Sequence, residues 1–160
     1  FANDLQFYWG IRFVPKSVME GKEIGLEINA PDAIFATIPK ICCVLVCLEN
    51  LKEATRNMPN KEWACFVIKA MAHEYRHAQQ IEYFESVGLD SNYVLKYIAS
   101  KHSYTDSPVE QDAIQYSTHI EVRSKNGCLE IHSRWIEVSE VMKEVAEEVR
   151  QHPHQIFDYK

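Results

Sequence analysis

The residues that point most directly to chemistry are His73, Glu74 and His77, which form an HExxH motif. In an α-helix, residues four positions apart lie on one face, one turn from each other. Two imidazoles in that arrangement can reach the same zinc ion. The glutamate between them projects beside the ion, where it can accept a proton from water. The motif therefore predicts a zinc site with His73 and His77 as ligands and Glu74 as general base.

The surrounding sequence predicts that this motif lies on a helix. Asn60 suits an N-cap and Gly88 suits the position just past the helix end, so we expect a helix over residues 61–87. Apolar residues recur there at three- and four-residue spacing, and both histidines fall on the apolar stripe. The stripe consists of Phe66, Ala70, His73, His77, Ile81 and Phe84. Since a buried polar group needs a partner, one metal ion would satisfy both imidazoles.

Glu110 is the candidate for a third ligand. Ser107 and Pro108 suit the N-cap and the first position of a helix, which would place Glu110 in its first turn. Two histidines and one glutamate leave the fourth position of a tetrahedral zinc open, as in catalytic sites. The same residues also fit a capping box, in which Glu110 would only bind the backbone of its own helix. The upstream motif makes us favour the ligand, with the capping box as the alternative.

Composition and the absence of other motifs exclude several functions. The chain has no glycine-rich phosphate loop and no Gly-x-Ser-x-Gly sequence, and the residues after His77 do not fit the longer motif HExxHxxGxxH. The net charge of −6 and the pI of about 5.6 argue against binding to nucleic acid or to anionic membranes. The most apolar run, residues 41–48, is far too short to span a bilayer.

The five cysteines are odd in number and contain no CxxC pair, so a metal site built on cysteine is disfavoured. We expect them to be reduced, buried, small hydrophobic residues of an intracellular, cytoplasmic protein. They are Cys42, Cys43, Cys47, Cys65 and Cys128.

The expected order of strands and helices around these side chains predicts one α+β domain over residues 1–160. Residues 40–56 fit a helix face, although their β-branched content allows a strand in the first half. We expect a polar loop at 102–106, a helix stop at residues 126–127, and an extended tail from Pro153. Strands are expected at 11–14, 24–28 and 33–38, and helices at 61–87, 91–101, 108–124 and 129–151.

These residues resemble the zincin metallopeptidases of the gluzincin type, in which the third ligand is a glutamate on a later helix. The compact arrangement is similar to the minigluzincins and to small HExxH peptidases of bacteria and mobile elements. The resemblance covers about residues 61–120. It implies a small N-terminal sheet, an active-site helix and a glutamate helix, with Zn²⁺ held by His73, His77 and Glu110 and with Glu74 as base. The matching residues after the motif are Pro108, Glu110, Asp112 and Ala113.

One position departs from that pattern. Thermolysin-like members carry an acid four residues after the ligand glutamate, where it orients the first histidine, and this chain has Ile114 there. Asp112, two residues after Glu110, is the nearest replacement. We expect Arg76 to be structural and to pair with a carboxylate such as Asp112 or Glu110. Gln80 is likewise expected to be structural.

An oxyanion-stabilising donor is expected beside the metal. We favour Tyr104, because it lies in the loop just ahead of the glutamate helix. The alternatives are His102, Tyr116 and His119.

Two classes of function follow from this site. The first is a zinc-dependent peptidase, with a peptide or protein substrate laid along the edge of the N-terminal sheet. The alternative is a metal-binding regulatory or interaction protein without turnover. A third, weaker interpretation is a metal-free helical protein with coincidental histidines. Glu74 favours catalysis, because a scaffold needs the histidines but not the base.

The C-terminal helix has an apolar stripe, including Trp135 and Met142, that must pack on something. The simple expectation is that it completes the core of the domain. A sharper hypothesis is that this helix or the tail covers the catalytic cleft and keeps the enzyme latent. The potential ligands in that segment are His152, His154 and Asp158.

Overall fold

The computed structural model of the chain describes residues 9–22, 28–126, 128–132 and 140–152, and these form an α+β arrangement. The coarse fold class is therefore as expected. None of the described helices is both long and apolar enough to cross a membrane. The elements are β1 (Gly10–Val14), α1 (Lys16–Met19), β2 (Phe35–Ile38), β3 (Cys43–Cys47), α2 (Leu48–Ala54), α3 (Asn60–Ser86), α4 (Ser91–Lys101), α5 (Pro108–Thr118), β4 (Glu121–Lys125), β5 (Cys128–His132) and α6 (Glu140–Gln151).

A small mixed sheet forms the N-terminal part, with β3 in the centre, β1 parallel to it and β2 antiparallel to it. α3 packs against β2. The strands predicted at 11–14 and 33–38 are confirmed with slightly different bounds. The strand predicted at 24–28 lies almost wholly outside the described residues, and Ile28, which is described, is buried but not in a strand.

The segment 40–56 forms a strand followed by a helix, so the strand alternative is the correct one for its first half. β3 has the sequence CVLVC, and its last four residues are buried. A short apolar, β-branched run that is buried on both faces is typical of a central strand.

The predicted HExxH helix is confirmed as α3, 27 residues long. Its N-cap is Pro59, one residue before the Asn60 that we predicted. At the C-terminal end, Gly88 has φ of +82° and its N–H donates to the carbonyl of Glu85 at 3.1 Å. The N–H of Leu89 donates to the carbonyl of Phe84 at 2.9 Å. These two bonds form a Schellman motif, which confirms that Gly88 ends the helix.

The helices predicted at 108–124 and 129–151 are both wrong in part. α5 ends at Thr118, and residues 121–132 form an antiparallel hairpin of β4 and β5 in which Lys125 pairs with Cys128. Asn126, which follows β4, has φ of 52°. Asn-Gly is the strongest short hairpin signal. Asn126 therefore follows a paired strand and does not end a helix. The helix predicted at 91–101 is confirmed.

α6 begins at Glu140. It packs into the core, as we expected for the C-terminal helix. Its buried residues pack with Phe84 of α3 and with residues of α4. Trp135 lies outside the described residues. The cluster contains Phe84, Val94, Tyr97, Ile98, Val109, Met142, Val145, Ala146 and Val149.

Four cysteines with described side chains are free thiols. Only Cys47 is buried, so the expectation of buried cysteines is wrong for Cys42, Cys43 and Cys65, which are half-buried. Cys42 lies in a turn with φ of 49°, and Cys65 lies in the more exposed first half of α3. The side chain of Cys128 is outside the described part of the chain.

Candidate metal centre and cleft

The structure brings His73, His77 and Glu110 together between α3 and α5. The Nε2 atom of His73 lies 3.1 Å from Oε2 of Glu110, and Nε2 of His77 lies 3.1 Å from Oε1 of the same carboxylate. The two Nε2 atoms are 3.2 Å apart. Within the described residues, these three form the group of side chains that could hold a metal ion.

The separation of the two histidine nitrogens fits a tetrahedral metal. Zinc bonds of about 2.0–2.1 Å at tetrahedral angles place neighbouring ligand atoms about 3.3 Å apart. The two Nε2 atoms are 3.2 Å apart, within about 0.2 Å of that value. Each imidazole is 3.1 Å from a different oxygen of Glu110, and with one ligand atom from each residue the three atoms lie within 4.8 Å of one another. The donor set of two imidazoles and one carboxylate would leave a fourth position for water or substrate. It could also accept other first-row metals.

The capping box does not form. Ser107 is the N-cap of α5 and Pro108 is the first helical residue, as predicted, but the Ser107 side chain makes no capping hydrogen bond. The Glu110 carboxylate points across to the histidines of α3 instead. Glu110 therefore has the position that a metal ligand requires.

Glu110 and His77 shift each other's pKa. Burial opposes the charge of Glu110, but hydrogen bonds from His73 and His77 and their positive charge outweigh it and lower the pKa of Glu110. Burial also opposes the charge of His77, but the hydrogen bond and charge of Glu110, helped by Glu74, raise the pKa of that imidazole. A metal ion that binds Nε2 of His77 would therefore compete with a proton for that atom.

Zinc affinity should therefore depend on pH. Because the pKa of His77 is raised above its usual 6.5, protons compete with zinc below that raised value, and affinity should fall by about tenfold per pH unit. The lowered pKa of Glu110 keeps the carboxylate ionised over the same range. Competition titrations from pH 5.5 to 8.5 would measure this slope together with proton release. An affinity that does not change with pH would contradict the assignment of His77.

Glu74 lies beside the three candidate ligands and is held by the sheet. The Thr37 hydroxyl, on β2, donates a hydrogen bond to Oε2 of Glu74 at 2.6 Å, a length typical of a hydroxyl bound to a carboxylate. The same hydroxyl is 3.2 Å from the Glu74 carbonyl oxygen. This leaves Oε1 of Glu74 for another partner. Thr37 is a site residue that sequence reasoning missed, because nothing local to the strand marks it.

Tyr104 lines the same cavity as Glu74 and Glu110. Partial burial and the negative charges of Glu110 and Glu74 raise the pKa of the Tyr104 hydroxyl to about 12. The hydroxyl therefore keeps its proton at neutral pH and can donate a hydrogen bond, although 75% of the residue's surface is exposed.

The other three oxyanion candidates lie elsewhere. Tyr116 is buried, and its ring packs under Arg76 with the guanidinium carbon 4.8 Å from the ring centroid. His102 and His119 are exposed at the C-terminal ends of α4 and α5.

The expected pairing of Arg76 with a carboxylate is confirmed, and of the two candidates, Asp112 and Glu110, the partner is Asp112. Arg76 donates from Nε to Oδ2 at 2.8 Å and from a terminal nitrogen to Oδ1 at 3.1 Å, and both side chains are buried. Ile114, at the position where thermolysin-like proteins carry an acid, is 49% exposed. Asp112 does not contact either histidine directly in the hydrogen bonds of the described residues, but it binds Gln80, which contacts His77.

The potential ligand His152 is not brought to this site. Its ring stacks on Tyr97 of α4 at a centroid distance of 6.5 Å, and its carbonyl accepts a hydrogen bond from Tyr93. His154 and Asp158 lie outside the described residues, so the latency hypothesis stays a prediction.

Two cavities border the candidate metal centre. One, of about 270 Å³, is lined by residues of β2, by Tyr104 and by Glu74, His77 and Glu110. The other, of about 320 Å³, is lined by residues of α3, among them Lys69, His73 and Glu74, and by Ser117. Glu74 borders both cavities, so an extended molecule that occupied both would lie against Glu74.

Comparisons with protein families, with curated proteins and with solved structures found no match to this chain.

Proposed function

We propose that this protein is a zinc-dependent peptidase of the gluzincin type. The observation that carries the proposal is the convergence of His73, His77 and Glu110 at 3.1–3.2 Å, with Glu74 beside them in the same cleft. Three protein ligands and an adjacent carboxylate base are the parts that metal-assisted hydrolysis needs.

The chain's own residues would divide the chemistry as follows. Zinc, when bound by His73, His77 and Glu110, would supply Lewis acidity to the scissile carbonyl and to water. Glu74 would accept a proton at the oxygen that Thr37 leaves free and then deliver it to the leaving amine. Tyr104, neutral at pH 7, would donate a hydrogen bond to the developing oxyanion.

The substrate would be an extended peptide. β2 pairs with β3 on one side, and its residues Phe35–Thr37 line the cavity next to the metal centre. Among the described residues no strand pairs with the other side of β2. An extended peptide could add there as a further strand. Because two cavities border the centre and share Glu74, we favour cleavage within a chain over removal of a terminal residue.

Hydrolysis of an unstructured protein such as casein, with mass spectrometry of the products, tests this proposal. Zinc-loaded protein should release internal fragments, a chelator should stop the release, and added zinc should restore it. Tight zinc binding without hydrolysis of any peptide in a random library would instead favour the alternative, a metal-binding regulatory protein. Protein that binds no metal would contradict both.

A further inference from the structure

Gln80 connects the two helices that carry the candidate ligands. It is buried, and its Oε1 lies 2.9 Å from Nδ1 of His77. Its Nε2 donates to the carbonyl of Val109 at 2.9 Å and to Oδ2 of Asp112 at 2.6 Å. One amide group therefore contacts a candidate ligand on α3 and two residues of α5, Val109 just before Glu110 and Asp112 two residues after it.

The orientation of this amide is determined by its partners. A glutamine amide has one acceptor oxygen and two donor hydrogens. The carbonyl of Val109 can only accept. Asp112 is bound by Arg76 through two hydrogen bonds, which keeps it an ionised acceptor. Both partners on α5 therefore require the NH₂ group, and the carbonyl oxygen must face His77.

This orientation favours one form of His77. Because Oε1 of Gln80 is an acceptor, Nδ1 of His77 carries the hydrogen of this contact. In a neutral, metal-free imidazole the Gln80 contact therefore favours a hydrogen on Nδ1, whereas the Glu110 carboxylate, 3.1 Å from Nε2, favours one on Nε2. A metal ion at the centre of the site would take the Nε2 lone pair and leave the hydrogen on Nδ1, facing Gln80.

We propose that Gln80 is a positioning residue that fixes His77 in the tautomer able to bind a metal, and that Arg76 and Asp112 set its orientation. The inference rests on the proposed metal site. It also accounts for Ile114, which stands where thermolysin-like proteins carry an acid that supports a histidine ligand. Here the supporting carboxylate is Asp112, and it acts through Gln80, which lies one turn after His77 on the same helix.

A pair of variants on adjacent glutamines tests this role. Gln79 is buried like Gln80 and binds Arg76, but it does not contact His77 in the hydrogen bonds described. Gln80→Met should weaken zinc binding by about 10- to 100-fold, the usual effect of losing a partner of a metal-bound histidine. Gln79→Met, the matched control, should leave zinc affinity unchanged. Competition with a chromophoric chelator measures both, and circular dichroism checks that each variant is folded.

The second readout needs neither metal nor activity. Long-range ¹H–¹⁵N spectra of the metal-free protein, at a pH where the imidazole is neutral, report the tautomer of His77. The wild type and Gln79→Met should show a larger share of the Nδ1–H form than Gln80→Met, because only Gln80→Met removes the acceptor at Nδ1. Equal tautomer populations in the three proteins, or equal zinc affinity in the two variants, would overturn the proposal. The expected difference in tautomer without any zinc binding by the wild type would instead retain the role of Gln80 and contradict the proposed function.

Discussion

Replacing Glu110 with alanine should weaken zinc binding by more than about 100-fold. Losing a direct ligand should lower the affinity more than losing a residue that only contacts a ligand, for which about 10- to 100-fold is usual. Glu110 contributes both carboxylate oxygens to contacts with His73 and His77 at 3.1 Å. Without it, two imidazoles remain, and two ligands on one helix rarely hold zinc alone. Chelator competition on the purified variant measures the effect.

The same variant distinguishes a metal-ligand role of Glu110 from a helix-capping role. A lost cap would cost about 0.5–2 kcal/mol of stability and leave the metal bound. Gln111→Ala is the matched control, since Gln111 is the next residue of α5, is exposed and donates to the carbonyl of Thr105. That variant should keep wild-type zinc affinity. Retained tight zinc binding in Glu110→Ala would contradict the site as described.

Replacing Glu74 with glutamine should leave zinc binding intact and lower the rate of hydrolysis by about 100- to 10,000-fold, the range for removing a general base. Glutamine is nearly isosteric, and its carbonyl oxygen can still accept the hydrogen bond from Thr37. The fold and the metal should therefore be unaffected, whereas the amide cannot accept a proton. Fragment release from casein and zinc content should be measured on the same preparation.

Glu62→Gln is the matched control for that experiment. Glu62 is an exposed glutamate in the first turn of the same helix, far along α3 from the histidines. Its replacement changes the net charge equally and should leave hydrolysis unchanged. Loss of zinc in Glu74→Gln would mean that Glu74 is a ligand, and unchanged hydrolysis would remove it from the mechanism.

The candidate site could largely be predicted from sequence because its members lie on helices with regular spacing. His73 and His77 share a helix face by periodicity alone, and the caps around Pro108 placed Glu110 in a first turn. Thr37 could not be predicted, since its contact with Glu74 depends on how β2 packs against α3. The contact between Gln80 and His77 had a signal in the sequence, their three-residue spacing, but the contacts of the Gln80 amide with α5 had none.

The fold was predicted best where local signals acted alone. Asp90 caps α4 through two backbone N–H groups, and that helix was predicted with its observed bounds. The hairpin of β4 and β5 was mistaken for helix because residues 126–127 can end a helix as well as turn a strand. The choice between these uses depends on strand pairing, which no single-segment pattern contains.

The most direct test of the account is an X-ray structure of zinc-loaded protein, with anomalous diffraction at the zinc edge. We predict one zinc per chain, bound to Nε2 of His73 and His77 and to the Glu110 carboxylate at distances of about 2.0–2.2 Å. Gln80 should face Nδ1 of His77 in the same crystals. Protein that takes up no zinc with all three residues intact, or zinc bound elsewhere while the imidazoles face solvent separately, would contradict it.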